Sequence, residues 1–466
     1  MRLYIVGLFL AFVVFGFLYI RTTRHSGLEL SVDDPVVEGL GNGGYNVTNY
    51  DISFQWDQKT KTIESEVLIE AVTEKQLDRL SLDFVGFEVS QVLVNENQTE
   101  FSRKDEELIL DLETEYDPDS DLKIEVFYSG TPTSTNSGVF PSGWHSLDDS
   151  AYVLGEPRGA SYWFPSNDHP SDKATFDFEI TTSDSQLAIA NGVLVSDKKI
   201  GNGLRVAKYR MAQPMATYLT TIIIGDYEVI QADGYKDIPI RNVFPSDASL
   251  KEKLYFEDQD EMLAVYSELF GDYPFDVYGA ALVDDNIGGA LENQTLSVFG
   301  RQSANEYIIS HELAHQWFGN SVSLTGFQDM WLNEGFATYS TYLWYEFGQG
   351  LSMEDKLAED LRQMDLRLLD RPPGRPQLTE EGIFATHVYI RGALALHALR
   401  LEVGDDNFFE ILQGYHKRFA YSNATPEGFL EVAEKQSNIE LDDWYANWIL
   451  EEGLPERLGS IVFDEL

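Results

Sequence analysis

Residues 310–317 read S-H-E-L-A-H-Q-W, and the predicted fold and chemistry of the chain depend on them. His311 and His315 lie four positions apart in a helical pattern, so both imidazoles face the same way and can share one metal ion. Glu312 is adjacent but is not needed as a ligand, so it can act as the general base for a zinc-activated water. This stretch predicts a metal-dependent hydrolase.

A catalytic zinc site takes three protein ligands and keeps a fourth position open. Glu334 fits the third place, because it follows His315 after 18 intervening residues, in the segment W-L-N-E-G-F-A at the start of another helix. The first helix is expected to end near Gly319 and a loop to run through Gly326, so that the second helix returns its first turn to the metal. We therefore predict one Zn²⁺ per chain, held by His311, His315 and Glu334.

The composition narrows both the ligands and the partners. The chain has 466 residues and no cysteine, so a metal can be bound only through histidine and carboxylate groups. It has 78 Asp plus Glu against 33 Lys plus Arg, and a formal net charge of -45. This charge would repel phosphate, so nucleic acid is not an expected partner. The acidic residues are spread along the chain, as is typical of a solvated surface.

The amino-terminal segment predicts attachment to a membrane. Residues 3–20 form an uncharged apolar run of 18 residues flanked by arginines, which is long enough to span a bilayer. The apolar core of a cleaved signal peptide is usually shorter, about 7–15 residues, and is followed by a small-x-small site that is lacking here. We expect an uncleaved anchor over residues 1–21 and a polar, Gly-rich tether over residues 22–44, with the catalytic part outside the cytoplasm. Secretion after signal cleavage is the alternative.

The rest of the chain shows two successive sequence patterns, one typical of strands and one typical of helices. From residue 45 to 232, short segments of β-formers alternate with Asn, Gly, Asp and Ser turns, which predicts an antiparallel β-sandwich or saddle. From residue 233 to 466, longer helical patterns take over, and Thr425 followed by Pro426 is typical of a helix start. The predicted fold class is therefore α+β, with a β-rich amino-terminal domain followed by a mostly helical catalytic domain.

Four motifs together resemble those of one enzyme family. H-E-x-x-H is followed after 18 residues by N-E-G-F-A, and residues 289–293 read G-A-L-E-N. Residues 156–174 contain E-P…W-F-P-x-x-D-x-P-x-x-K-A, and residues 389–392 read Y-I-R-G. These motifs are similar to those of the aminopeptidase N family of zinc exopeptidases, which includes leukotriene hydrolase-type enzymes. The likeness runs from about residue 45 to the end and implies a thermolysin-like catalytic domain.

The resemblance also implies roles for individual residues. Glu292 and Glu156 would bind the protonated α-amine of a peptide, since paired carboxylates suit one buried ammonium group. Tyr389 would donate a hydrogen bond to the oxyanion of the tetrahedral intermediate. The family's activity would then be the removal of N-terminal residues from peptides with a free amino end. A strand edge would lie along the substrate backbone, formed by Gly288, Gly289, Ala290 and Leu291.

Some positions depart from the family pattern. Leu154 stands where the family often has glutamine, Leu291 replaces methionine, and Arg391 replaces lysine. The sequence also stops where the family's catalytic domain usually closes. We therefore expect a short form without the helical carboxy-terminal domain of many relatives, and a site that is more open on one side.

Two other classes of function remain. A zinc endopeptidase or an epoxide hydrolase on the same scaffold would use the same metal ligands, and acetylation of the substrate amine distinguishes an endopeptidase. A non-catalytic binding protein is disfavoured by the intact set of metal-binding and catalytic side chains. The other histidines are expected not to be ligands: His25, His145, His169, His387, His397 and His416.

Overall fold

The first half of the molecule is built from strands, as predicted. The computed structural model describes residues 32, 34–135, 141–363 and 382–451. Buried and exposed positions alternate along the longest strands, because successive side chains of a strand point to opposite faces of the sheet. The strands of this half are β1 (Tyr45–Asp57), β2 (Thr62–Thr73), β3 (Leu77–Asp83), β4 (Glu88–Val94), β5 (Asn97–Gln98), β6 (Glu100–Lys104), β7 (Glu107–Tyr116), β8 (Asp121–Gly130), β9 (Gly143–Ser146), β10 (Ala151–Leu154), β11 (Lys173–Ser183), β12 (Leu187–Ala190), β13 (Val193–Gly201), β14 (Leu204–Ala216) and β15 (Ile222–Gly225).

These strands form three sheets. The largest has eight strands in the order β13-β14-β11-β1-β2-β8-β4-β5, and the smaller ones have the orders β12-β15-β10-β9 and β3-β7-β6. Their pairing is antiparallel, as predicted, apart from β1 and β11, which run parallel with Asn49 beside Thr175. Parallel neighbours need a long connection rather than a hairpin, and the chain makes several other strands between these two.

The second half combines a small mixed sheet with helices. The sheet has the order β16-β17-β18-β20-β19, and a further pair, β21 and β22, runs parallel. The strands of this half are β16 (Tyr227–Asp233), β17 (Pro239–Pro245), β18 (Ala280–Val283), β19 (Ala290–Leu291), β20 (Ser297–Gly300), β21 (Val322–Leu324) and β22 (Ser422–Ala424). The α-helices are α1 (Leu250–Leu254), α2 (Gln259–Phe270), α3 (Glu306–Ala314), α4 (Trp331–Leu343), α5 (Met353–Gln363), α6 (Thr386–Val403), α7 (Asp405–Phe419), α8 (Pro426–Ser437) and α9 (Asp442–Tyr445).

The helix starts follow local sequence signals. The side chain of Thr425 accepts a hydrogen bond from the Gly428 amide at 3.1 Å and caps α8, which confirms the predicted start. Asn305 caps α3 in the same way, by accepting a hydrogen bond from the Ile308 amide at 3.2 Å. The helix that carries H-E-x-x-H is therefore fixed at its first turn.

The sheet of the second half begins at Tyr227, the first residue of β16, which is earlier than the sequence pattern suggests. The expected boundary between residues 232 and 233 falls inside β16, which pairs along its whole length with β17. β16 therefore belongs to the sheet of the second half. Its sequence reads like the preceding strands, and only the pairing assigns it to the other sheet.

Residues 34–44, which we call the strap, are packed into the fold. Val37 and Leu40 are fully buried. Asp34 accepts hydrogen bonds from the amides of Val36 and Val37, both at 2.8 Å, and from the amide of Phe327 at 2.9 Å. The tether prediction is therefore wrong for the strap. Its glycines and acidic residues suggested a polar linker, but its few apolar side chains find partners in the core.

The predicted membrane anchor, residues 1–21, and the first part of the expected tether lie outside the described residues. Among the helices that the structure does describe, none is both long and apolar enough to span a bilayer.

Candidate active site

The two histidines of H-E-x-x-H lie side by side at the carboxyl end of α3, His311 in its last turn and His315 as its C-cap. His311 and His315 are buried, and their Nε2 atoms are 3.1 Å apart. The Nδ1 atom of His315 lies 3.1 Å from the Phe318 carbonyl oxygen. When Nδ1 carries the proton and donates it to this carbonyl, the Nε2 lone pair is free for a metal. The helical spacing therefore brings the two predicted nitrogen ligands side by side.

Glu334, in the first turn of α4, completes a triangle with the histidines. Its Oε2 atom is 3.0 Å from His311 Nε2 and 3.3 Å from His315 Nε2. The three atoms are close enough together to bind one ion at the usual zinc–ligand distances of about 2.0–2.1 Å. Burial would raise the pKa of Glu334, but the neighbouring histidines lower it to about 2. The donor set, two imidazoles and one ionised carboxylate, suits zinc.

Three further carboxylates converge on the same place. Glu156, Glu292 and Glu312 are each at least 95% buried. Both carboxylate oxygens of Glu156 and one each of Glu292 and Glu312 have no hydrogen-bond partner among the described residues. Burial, together with the other carboxylates, holds the pKa of Glu156 and Glu312 well above the usual range, and burial also raises the pKa of Glu292. These groups are arranged to receive a proton or a cation.

The backbone around Glu292 is held by side chains that follow the histidine pair. Gln316 Nε2 and Asn320 Nδ2 both donate to the Glu292 carbonyl oxygen, at 3.2 and 2.7 Å. Gln316 Oε1 accepts from the Thr295 amide at 2.8 Å. The preceding residues form β19, which lies at the edge of its sheet. The edge strand and Glu292 are therefore fixed relative to α3.

Tyr389 reaches the site because α4 and α6 cross at two glycines. A Cβ atom on Gly335 would lie 2.7 Å from the Cα of Gly392, and one on Gly392 would lie 2.8 Å from the Cα of Gly335. Gly335 follows Glu334 directly, and Gly392 is one turn beyond Tyr389. The Tyr389 ring consequently stacks near His311, with ring centroids 6.0 Å apart. Burial and the surrounding carboxylates hold the pKa of Tyr389 well above its usual value, so its hydroxyl keeps its proton.

These groups line one cavity of about 190 Å³. Of the predicted site residues, only Gly288 is not part of its wall. Three wall residues were not predicted: Tyr307, Ile308 and Phe384. Tyr307 and Ile308 lie four and three positions before His311 on α3, so helical periodicity could have found them. Phe384 precedes another helix, and no sequence signal connects it with the metal site.

A larger depression, of about 500 Å³, lies over the eight-stranded sheet and is lined mostly by serine and glutamate side chains. Within the described residues, the groups of side chains that could hold a metal all lie instead in the smaller cavity. The chemistry is therefore assigned to the smaller cavity.

Of the three positions that depart from the family pattern, Leu291 lines the cavity, whereas Leu154 and Arg391 do not. Leu154 is buried in β10 and is not part of the cavity wall. Arg391 is fully buried and donates to the carbonyl oxygens of Trp448 and Glu451, at 2.9 and 2.7 Å. Arg391 thus fixes the last described turn of the chain. His25 lies outside the described residues, and the other predicted non-ligand histidines belong to none of the potential metal-binding groups found in the described part.

The fold and the site define the class of protein: a two-part metallopeptidase with a β-rich half and a helical catalytic half. The sequence profile of the Peptidase M1 N-terminal domain matches residues 46–219, and that of the Peptidase family M1 domain matches residues 255–448. The crystal structure of an M1 zinc metallopeptidase from Deinococcus radiodurans superposes with a TM-score of 0.85 and 32% sequence identity, covering 91% of this chain and 98% of that one. The chain belongs to peptidase family M1, a family of zinc metallopeptidases.

Curated relatives are more distant in sequence and longer. Aminopeptidase M1-D of Oryza sativa subsp. japonica is 27% identical over 412 residues, which are 81% of this chain and 45% of the relative. Probable aminopeptidase 1 of Sulfurisphaera tokodaii is 25% identical over 451 residues, which are 90% of this chain and 55% of the relative. The chain thus spans about half the length of these curated relatives.

Proposed function

We propose that this chain is a zinc-dependent aminopeptidase that removes the N-terminal residue from peptides. The observation that carries the proposal is the placement of Glu156 and Glu292 beside the three potential zinc ligands, in one buried cavity. Relatives support it: a mutant of the M1 zinc metallopeptidase from Deinococcus radiodurans has been crystallised with a Tyr-Ser-Ala substrate. Two-domain M1 zinc metallopeptidase mutants have also been crystallised with L-arginine and with L-tryptophan. Each of these three molecules has a free α-amine.

The paired carboxylates would determine which peptide bond of the substrate lies next to the metal ligands. Glu156 and Glu292 have oxygens without partners, and an α-ammonium group between them would receive charge-assisted hydrogen bonds. The same carboxylates border Glu334, so the first peptide carbonyl is brought next to the metal ligands. An acetylated amine has neither the charge nor the donors to occupy this place. The amine subsite therefore explains why cleavage would occur after the first residue.

The remaining groups would handle protons and charge. His311, His315 and Glu334 would hold zinc, which when bound supplies Lewis-acid polarisation of the carbonyl and activation of water. Glu312 would accept the proton of the attacking water and deliver it to the leaving amine, a role that suits a carboxyl group with a raised pKa. The Tyr389 hydroxyl would donate a hydrogen bond to the developing oxyanion.

The test is hydrolysis of a panel of aminoacyl fluorogenic amides by the zinc-loaded protein, beside the same amides with acetylated amines. We expect turnover of the free-amine substrates, loss of turnover after acetylation, and a fall in kcat/KM in Glu292→Gln. Glu261→Gln, an exposed position on α2, is the matched control and should leave the rates unchanged. Equal cleavage of acetylated substrates would instead indicate an endopeptidase.

We also propose that residues 3–20 anchor the protein in a membrane with the catalytic part outside the cytoplasm. The length of the apolar run and the arginines around it support this proposal. Fractionation tests it: the intact chain should stay with the membrane pellet in high salt and be released by detergent. Recovery of the chain in the soluble fraction, starting after the apolar run, would support secretion after cleavage.

We infer further that the described chain divides into a β-rich domain and a catalytic domain. The start of β16 at Tyr227 supports a boundary slightly earlier than residue 232, because this strand pairs only with the second sheet among the described strands. Limited proteolysis followed by mass determination should yield fragments that end between β15 and β16. Stable fragments cut within β16 would contradict this division.

A further inference from the structure

Three glutamates in the cavity form a second group with the spacing of a metal site. One carboxylate oxygen each from Glu156, Glu292 and Glu334 can be chosen so that all three lie within 4.8 Å of one another. Glu334 also belongs to the group formed with His311 and His315. The two groups therefore share the Glu334 carboxylate.

The charges in the cavity do not balance with one zinc ion. Glu156, Glu292, Glu312 and Glu334 all line it, and the two histidine ligands are neutral when they bind a metal. With all four carboxylates ionised, one Zn²⁺ compensates only half of their charge. Among the described residues, no lysine or arginine is part of the cavity wall. A buried charge without a partner is costly, so these carboxylates either keep a proton, as the raised pKa of Glu156 and of Glu312 favours, or bind further positive charge.

Hydrogen bonds within the protein do not supply that compensation. Glu156 is 2% exposed, and neither of its carboxylate oxygens has a hydrogen-bond partner among the described residues. Glu292 is equally buried, and its Oε1 atom also has none. Unpartnered oxygens on nearly fully buried side chains, directed into one cavity, are suited to a cation. A substrate ammonium group would supply one positive charge, and a divalent ion would supply two.

We propose that Glu156, Glu292 and Glu334 form a second divalent-cation site, which is filled when no substrate amine is present. The ion and the peptide amine would then compete for the same carboxylates, so free divalent cations would inhibit the enzyme competitively. An all-oxygen ligand set favours hard ions such as Mn²⁺ over soft ones. The catalytic position, with its two imidazoles, keeps zinc because zinc binds such sites more tightly than manganese does. The competition between the ion and the peptide amine rests on the proposed function. The binding of the ion to the three carboxylates does not.

The test titrates the zinc-loaded protein with Mn²⁺ and measures the free ion by its electron paramagnetic resonance signal. We expect about one saturable Mn²⁺ per chain, with zinc retained. Phenethylamine, which has an amine but no bond to hydrolyse, should displace it, and N-acetylphenethylamine should not. Glu156→Gln should weaken Mn²⁺ binding by about tenfold or more, since even loss of a ligand's hydrogen-bonding partner costs that much. Glu261→Gln should bind Mn²⁺ as the unchanged protein does.

Either of two results would contradict the proposed cation site. One is the absence of saturable Mn²⁺ binding that phenethylamine displaces. The other is Mn²⁺ binding that is as strong in Glu156→Gln as in the unchanged protein. The amine competition uses the unchanged protein, so it decides the matter even if the variant folds poorly. Rate measurements separate the two proposals. Mn²⁺ should raise KM for an aminoacyl amide and leave kcat unchanged. Amine-sensitive Mn²⁺ binding without any turnover would reject the aminopeptidase activity and retain the cation site. Turnover that Mn²⁺ does not affect would retain the aminopeptidase activity and reject the cation site.

Discussion

Among single residues, Glu312 is placed to affect catalysis without affecting metal binding. It lies in the cavity wall beside the histidines, but the ligand triangle is complete without it. We expect Glu312→Gln to retain zinc and to lose about 10²–10⁴-fold in kcat, the range typical of a general base. The measurements are zinc content by elemental analysis and kcat on an aminoacyl amide. Near-normal turnover in Glu312→Gln would contradict the mechanism.

The residues of the site differ in how far the sequence alone could reveal them. His311, Glu312 and His315 are set by one helical spacing, which is a local property of the chain. Glu334 needs the additional assumption that the next helix returns to the first. Glu156 was identified only by family resemblance, because its meeting with Glu292 depends on how the two halves of the molecule pack. Phe384 was missed because no sequence signal connects it with the metal site.

At the scale of elements, the crossing of α4 and α6 determines the distance between Glu334 and Tyr389. The two helices touch at Gly335 and Gly392, where an added Cβ would lie under 3 Å from the opposing backbone. We expect Gly392→Ala to push the helices apart, to destabilise the protein by about 1–3 kcal/mol as overpacking does, and to lower kcat by about 10²-fold through misplacement of Tyr389.

Gly414 on α7 provides a matched control for this substitution. A Cβ atom there would meet mainly the end of the flexible Gln436 side chain, 2.6 Å from its Nε2 atom. That side chain can move, so Gly414→Ala should keep both stability and kcat close to those of the unchanged protein. Denaturant unfolding and steady-state kinetics on both variants test the helix crossing. Normal kcat in Gly392→Ala would show that the distance does not depend on the glycines.

The strap is the second element with a testable role. Asp34 binds the amide of Phe327, in the turn Phe327–Asp329 that leads into α4 and hence to Glu334. Asp34→Ala would leave three buried amides without this acceptor, so we expect a loss of roughly 3–5 kcal/mol of unfolding free energy and weaker retention of zinc. Denaturant unfolding and competition with a chelator measure the two effects.

Asp57 offers a closely matched control for Asp34. Its Oδ1 atom accepts from the amides two and three residues ahead, Lys59 and Thr60, in the same local pattern as Asp34 with Val36 and Val37. Asp57, however, is exposed and contacts no turn of the catalytic half through these bonds. Asp57→Ala should therefore cost little and leave zinc binding unchanged. An equal effect of the two substitutions would mean that the contact between Asp34 and Phe327 is unimportant.

The elements also show where sequence patterns lose their predictive value. The strands and helices themselves follow period and capping signals, because these act within a few residues. The strap packs into the core although its sequence reads as a polar linker, and β16 pairs with β17 although its sequence reads like the preceding strands. A short apolar segment or a strand is placed by its partners and not by its own pattern. The parallel pairing of β1 and β11 likewise follows from the path of the intervening chain.

For the whole molecule, the proposed amine subsite requires that both halves are assembled. Glu156 follows β10 in the β-rich half, whereas Glu292, Glu312 and Glu334 belong to the helical half. If the site works as proposed, conditions that loosen the fold should weaken substrate recognition and metal binding together. The pH is one such condition, because several titratable groups are buried in the assembled molecule.

His416 predicts how the stability of the whole fold changes with pH. It is 8% exposed, its Nε2 lies 3.1 Å from Ser321 Oγ, and burial lowers its pKa to about 4. An unfolded histidine has a pKa near 6.5, so between these values the unfolded chain binds more protons. The free energy of unfolding should therefore fall as the pH decreases from about 6.5 to 4, by up to ~1.4 kcal/mol per pH unit from this group. Above that window the contribution is fully present.

A comparison of variants isolates the contribution of His416. In His416→Gln, unfolding free energy should fall less steeply with decreasing pH, so its difference from the unchanged protein should shrink between pH 6.5 and 4. Ser321→Ala keeps the buried imidazole. It should lower the free energy of unfolding at every pH without changing how steeply this energy falls between pH 6.5 and 4. Effects common to all three proteins, such as loss of zinc in acid, cancel in these differences. A slope that is the same in His416→Gln would show that another group governs acid unfolding.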